Sequence, residues 1–186
     1  MDGRADGLRA RVRAIPTGSP PPPWVAVAPI AVGGLTDVGV SSSGGRELVL
    51  TVSHSGRAVF DADGVRLARD YAEPSDAWLD EVGLGALGIG PLADERVRIA
   101  GLAGGGLPTG TRDGWRVRNF PVDWPDDRVI LEPPGCDALR AGDGCVAVFA
   151  NDACELRAFG FSSSGQMLIV ATSADLRLYV RCVASA

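Results

Sequence analysis

Two stretches of this chain repeat one pattern, and few folds can accommodate it. Val38-Gly39-Val40-Ser41-Ser42-Ser43-Gly44 matches Phe159-Gly160-Phe161-Ser162-Ser163-Ser164-Gly165, and Leu48-Val49-Leu50-Thr51-Val52-Ser53 matches Leu168-Ile169-Val170-Ala171-Thr172-Ser173. Each copy is an apolar run, a Ser/Gly turn and a second apolar run, the local grammar of a β hairpin. The first copy extends into a meander of Thr36 to Ser41, Glu47 to Ser53, Arg57 to Asp61 and Val65 to Arg69, with turns at His54-Ser55-Gly56 and Ala62-Asp63-Gly64. The second reads as strands at Leu156 to Ser162, Gln166 to Ser173 and Leu176 to Cys182. With 25 Gly and 13 Pro in 186 residues the chain turns often, which suits many short strands.

These signals predict an all-β chain of antiparallel meander sheets. Residues 1–22 read as an arm ending in the stiff Pro20 to Pro23 spacer, and residues 23–186 as a single all-β domain. Within that domain, blade-like units fall at about 36–69, 83–132 and 154–182, the middle one irregular. In the arm, Leu8, Ala10, Val12 and Ala14 alternate with Arg9, Arg11 and Arg13, which predicts a strand. Trp24 to Val32 is a further apolar strand, and Pro29 argues for an edge position or a bulge. It has no local partner, so it is expected to pair with Leu176 to Cys182 and close the last sheet. Asp76 to Val82 reads as a short helix.

At the repeated hairpins the chain resembles the blades of WD-repeat and related bacterial β-propellers, in which a Phe-Ser-Pro-Asp-Gly turn leads into an apolar second strand. Phe60-Asp61 stands where those blades often carry Trp-Asp, whereas the turn Pro-Asp is Ser-Ser here and no Gly-His opens a blade. The resemblance covers about a third of the chain and implies a propeller-like scaffold with no particular reaction. A minimal propeller, a collapsed two-sheet barrel and a dimer that completes the ring all satisfy the pattern.

The formal charge of −5 disfavours binding to nucleic acid. No apolar stretch approaches the ~20 residues of a spanning helix, and Pro20 to Pro23 separate the basic start from the following apolar run. No membrane partner and a cytoplasmic location are therefore expected. Cys136, Cys145, Cys154 and Cys182 lack the close pairing of zinc ligands and His54 is the single histidine, so neither a metal nor another cofactor is expected. The cysteines read as buried free thiols on strands, with a Cys136–Cys145 disulfide as the alternative.

Among the motifs, Gly83-Leu84-Gly85-Ala86-Leu87-Gly88 has dinucleotide-loop spacing, but it follows a helix-like segment and precedes Pro91, the wrong context for that role. Gly104-Gly105-Gly106 reads as a flexible or closely approaching backbone, with ligand contact as the alternative. Arg96 and Arg98 share one strand face, Arg116 and Arg118 that of its expected partner strand. Such a face needs carboxylates, water or an anionic ligand, and Asp113, Asp123, Asp126 and Asp127 could supply the carboxylates. Trp115 alternates with the arginines and is expected inside, and loop residue Trp124 is a candidate anchor. The candidate binding residues are thus Arg96, Arg98, Arg116, Arg118, Asp123, Trp124, Asp126 and Asp127. No catalytic group is assigned. The leading expectation is a non-enzymatic binding protein with a protein partner, in character like a small bacterial immunity or antitoxin-type inhibitor. An enzyme or sensor for a small phosphate-bearing ligand and a homo-oligomeric structural subunit are the alternatives.

Overall fold

The computed structural model describes residues 2–123, 126–140, 143–150 and 154–182. Its strands form three antiparallel sheets. The largest contains β3 (Leu35–Ser43), β4 (Arg46–Ser53), β5 (Gly56–Phe60), β6 (Arg66–Asp70), β7 (Leu79–Asp80), β8 (Gly85–Leu87) and β9 (Arg96–Gly101), in the order β6-β5-β4-β3-β9-β8-β7. A second sheet orders β1 (Trp24–Ala26), β15 (Asp175–Arg181), β14 (Met167–Thr172) and β13 (Leu156–Phe161), with β2 (Ile30–Ala31) also on β15. The third is β10 (Arg116–Asp123), β11 (Asp126–Glu132) and β12 (Val146–Ala150). The all-β, antiparallel expectation holds, and the seven-stranded sheet is curled into a half-barrel.

Burial makes the five-stranded sheet the middle layer. On one face Met167, Ile169, Ala171, Leu176 and Leu178 pack against Leu35, Val38, Val49, Phe60 and Ala100 of the curled sheet. On the other, Leu168, Val170 and Tyr179 pack against Trp115, Val117, Val129, Leu131 and Phe149 of the three-stranded sheet. A strand buried on both faces loses the polar alternation of a half-exposed one, which is why β14 reads Met-Leu-Ile-Val-Ala-Thr. The other face of this sheet carries a core of its own, with Leu48, Leu50, Val59, Trp78 and Ile99.

The N-terminal strand closes the second sheet as expected: Trp24 pairs with Arg181, Ala26 with Tyr179 and Ile30 with Leu176. The chain leaves the ladder around Pro29, which lacks an N–H to donate. Trp24 is 3% exposed and meets Trp115 edge-on at 5.8 Å and Phe161 at 5.5 Å.

Three expectations are corrected. The arm is not a strand but helix α1 (Asp2–Ala14), followed directly by the buried Ile15. Of the alternating residues only Val12 is buried, and Val12 and Ile15, one helical turn apart, share a core with Val122, Ile130 and Ala147 on the outer face of the three-stranded sheet. Ala, Leu and Arg are good helix formers, and with no neighbour to offer a ladder the period of two carries no force. Asp76 to Val82 is not a helix: it leads into the tight β7–β8 hairpin, where Leu79 pairs with Ala86. The 83–132 unit does not exist as one sheet, because β8 and β9 join the first meander whereas β10 and β11 pair with β12.

The segment after β9 links the layers. Gly39 of β3 pairs with Ile99 of β9, and a Cβ on Gly39 would lie 2.5 Å from the Arg98 carbonyl oxygen. The chain then crosses at Gly104-Gly105-Gly106, and the Pro108 carbonyl accepts the Phe161 N–H at 2.7 Å on the edge of β13. There a Cβ on Gly160 would lie 2.5 Å from Leu107 Cβ. The glycine common to both repeated hairpins permits a close approach in each, by β9 at Gly39 and by the segment after β9 at Gly160.

Candidate functional site

The Arg-rich face is divided between two sheets. β9 lies between β3 and β8, and β10 pairs with β11, so Arg96 and Arg98 do not oppose Arg116 and Arg118. Sequence cannot distinguish the two edges of a strand, so the nearest unassigned strand was the wrong partner. Arg96 lies 3.7 Å from Asp80. Arg116 stands opposite Glu132 in the β10–β11 register, and Glu132 is fully buried. Its Oε2 lies 3.1 Å from Arg116 Nε and 3.4 Å from Arg118 Nε, and its Oε1 accepts the Ala138 N–H at 2.9 Å. Neither Nε–H is aligned as a hydrogen bond to Oε2, so Coulombic attraction holds these pairs.

Around this carboxylate, Arg116 donates to the Cys136 carbonyl at 2.7 Å, and Arg118 lies 3.8 Å from Asp137. The Leu139 N–H, followed by Arg118 and Arg116, holds the Asp137 carboxyl below its ordinary value. The cluster thus ties the 133–140 loop to the outer face of β10 and β11. Its carboxylates are Glu132 and Asp137; of the expected ones, Asp113 pairs with Arg181, and Asp127 accepts the Asn119 amide at 2.7 Å. Trp124 and the side chains of Asp123 and Asp126 lie outside the description, although the two aspartates pair at the hairpin end. Trp115 is core, as expected.

All four cysteines are free thiols. They lie outside the strands and only Cys145 is buried, so the strand assignment is corrected and the alternative disulfide is not formed. His54 is an exposed turn residue. Among the described residues, no three metal-binding side chains cluster.

A cleft of about 630 Å³ opens where the two repeated hairpins end side by side. Ser42, Gly45, Arg46 and Glu47 come from the β3–β4 end, Ser163, Ser164 and Gln166 from the β13–β14 end, and Asp61 and Asp63 from the β5–β6 turn. Met167 and Val180 supply apolar lining. Asp61 is committed to its turn, accepting the N–H groups of Asp63 and Val65. None of these residues is among the candidates offered by the sequence, which lie between Arg96 and Asp127. The shared Ser-Ser-Ser-Gly was the available signal, but only the stacking of the sheets brings its copies together.

Two smaller clefts flank the glycine crossing. One of about 160 Å³ is lined by Arg98, Gly106, Ser162 and Ser163, and Arg98 makes no ion pair among the described residues. The other, about 370 Å³, is lined by Gly105, Gly106, Thr109, Asn119, Asp127 and Phe159 among others. The fold and these clefts define the class: an antiparallel all-β scaffold with open clefts of mixed polar and apolar lining. Comparison with protein-family models, curated proteins and solved structures found no match. No helix among the described residues is long and apolar enough to cross a membrane.

Proposed function

We propose that this chain is a non-enzymatic binding protein that receives a protein partner at the cleft between its two repeated hairpin ends. The reading rests on one observation: turns from two different sheets converge on an open cleft of about 630 Å³. That size is typical of binding sites, and loops held by a rigid sheet scaffold are the usual carriers of recognition. The cleft mixes hydroxyls, both signs of charge and apolar lining, as partner-binding surfaces do. A small acidic inhibitor of the immunity or antitoxin kind, acting in the cytoplasm, fits this character. Photo-cross-linking in the native cell tests it. A photoreactive residue at Ser163 is expected to capture one protein that the same residue at Val82, 98% exposed on the β7–β8 turn, does not. No capture at Ser163, or equal capture at both positions, overturns the proposal.

A second reading, a small anionic ligand, keeps one supporting observation: Arg98 lines the cleft beside Ser162 and Ser163 without a carboxylate partner among the described residues. Stabilisation by inorganic phosphate that disappears in Arg98→Ala would support it, and no shift with phosphate would remove it.

A further inference from the structure

We infer that β6 is a self-recognition edge, through which two copies of this chain join their seven-stranded sheets into one. A bare strand edge presents unpaired N–H and C=O groups to any other strand, so folds normally cover it or keep it short. Here β7 has two residues, and β1 and β2 have three and two. On β13 the Phe161 N–H is taken by the Pro108 carbonyl, on β10 the Val117 N–H by the Thr109 carbonyl, and on β12 the Ala147 N–H by the Pro16 carbonyl. By contrast β6 has five residues, pairs only with β5, and makes no backbone hydrogen bond to any other segment among the described residues.

The side chains along this edge suit a contact surface. Val65, Leu67 and Tyr71 are three of the seven large apolar side chains exposed among the described residues, and Tyr71 is 71% exposed. Arg66 and Arg69 make no ion pair among the described residues, and Arg69 lies over the Tyr71 ring at 4.3 Å. Tyrosine and arginine are favoured anchors of protein interfaces. Behind them Ala68 packs against the core that holds Val59, and a Cβ on Gly90 would lie 2.5 Å from Ala68 Cβ, so the edge is held in place from within.

Charges on an edge usually repel a second strand, but in the run Val-Arg-Leu-Ala-Arg-Asp-Tyr from Val65 to Tyr71 they are placed to attract a copy. Laid antiparallel about a two-fold axis at Ala68, Arg66 faces the partner's Asp70 on both sides of the axis. Val65 then faces the partner's Tyr71, and Leu67 the aliphatic stem of the partner's Arg69. An axis at Arg69 would set that arginine against itself, and one at Leu67 would set Asp70 against Gly64 and lose both ion pairs. Asp70 can serve two arginines: Arg57 lies 3.1 Å from its Oδ2 and the Ala72 N–H bonds its Oδ1, which leaves acceptor positions open on a part-exposed carboxylate. The register with β5 slips at Leu67, so the regularly paired Ala68, Arg69 and Asp70 carry the contact. A foreign acidic strand would meet Asp63 and Asp70 beside the arginines, and a basic strand the arginines themselves. An isologous contact of this kind closes on itself as a dimer.

The test is sedimentation velocity and native mass spectrometry on the full chain. A dimer is expected with a Kd of about 1–100 µM, the weak end of a small interface. Arg66→Asp and, separately, Asp70→Arg each set like charges opposite one another and should weaken it about tenfold or more. Mixing these two variants should restore the dimer as a heterodimer, because each then faces opposite charges. Arg112→Asp, an equal charge change at an exposed turn residue, should leave it intact. Should Asp70→Arg fail to fold for want of the Arg57 partner, Arg66→Asp against Arg112→Asp decides. A chain that stays monomeric to about 500 µM, which would leave the edge to a foreign strand, overturns the inference. So does a dimer unchanged in Arg66→Asp, or one weakened equally in Arg112→Asp. The cross-linking at Ser163, in the β13–β14 turn, reads a different surface and stands or falls separately.

Discussion

Arg181 grips Asp113 with both terminal nitrogens, Nη1 at 2.7 Å and Nη2 at 2.9 Å, and so ties the last strand to the turn that precedes β10. The same guanidinium lies 4.7 Å from the ring centroid of Trp24, the first residue of the closing strand. One side chain thereby joins the ends of the five-stranded sheet to the three-stranded sheet.

This pair gives a pH dependence of known sign. Arg181, then the Thr111 hydroxyl, holds the Asp113 carboxyl well below its ordinary value. The Ala72 N–H and Arg57 lower Asp70, and the Leu139 N–H and Arg118 lower Asp137. A carboxyl depressed by folding stabilises the protein above its unfolded value, near 4, and loses that contribution as pH falls through the folded value. Thermal unfolding followed from pH 7 to pH 3 is expected to show Tm falling below about pH 4, with a shallower fall in Asp113→Asn. The Asp113 side chain is 53% exposed, so its substitution should cost only about 0.5–1 kcal/mol.

Glu132 should matter more. Removing a buried carboxylate that faces two arginines leaves their charges opposed and the Ala138 N–H without an acceptor. Because both arginines reach solvent, Glu132→Ala is expected to destabilise by about 1–3 kcal/mol in chemical denaturation. Glu132→Gln, which can keep the Ala138 bond, should cost less. Equal, small effects from both would show that the cluster does not hold the 133–140 loop.

The two repeated glycines carry a paired expectation. Gly39→Ala puts a methyl 2.5 Å from a backbone oxygen, and Gly160→Ala, at φ +149, puts one 2.5 Å from Leu107. Each should cost roughly 1–3 kcal/mol by overpacking. Gly18→Ala, with nothing within 4 Å, should be close to neutral by the same denaturation measurement.

Thiol reactivity should separate the cysteines. Burial, reinforced by Glu132, pushes the Cys145 thiol up to about 11, so it stays protonated and inert at neutral pH. Cys182 is exposed. Maleimide labelling read by mass spectrometry is expected to modify Cys182 in the native protein and Cys145 only in denaturant.

The closing strand is tested by Trp24→Ala. This substitution empties a site shared with Trp115 and Phe161 and should cost about 3–5 kcal/mol. A loss below 1 kcal/mol would mean that the strand contributes little to sealing the middle layer.

What the sequence determined by itself is local or two-sided in character. Alternation and Ser/Gly turns specify the hairpins at β3–β4 and β13–β14, because strand pairing across a short turn involves only neighbouring residues. The unbroken apolar run of β14 signals burial on both faces, and the Pro29 strand without a local partner signals an edge that must find one. Tertiary structure alone decided which edge each remaining strand joined: β9 entered the first sheet, and β10 founded another. It also left the alternating arm without a strand partner, so the arm is a helix that docks through Val12 with Ile15 beyond its end. Glu132, which nothing in the sequence singles out, is the anchor of two arginines because β11 lies beside β10. The Ser42–Ser163 cleft and the Asn119–Asp127 cleft are products of layer stacking, which brings together residues more distant in sequence than any local pattern can register. The two edges of a strand expose the same backbone groups, so the choice between them is made by the packing of whole sheets.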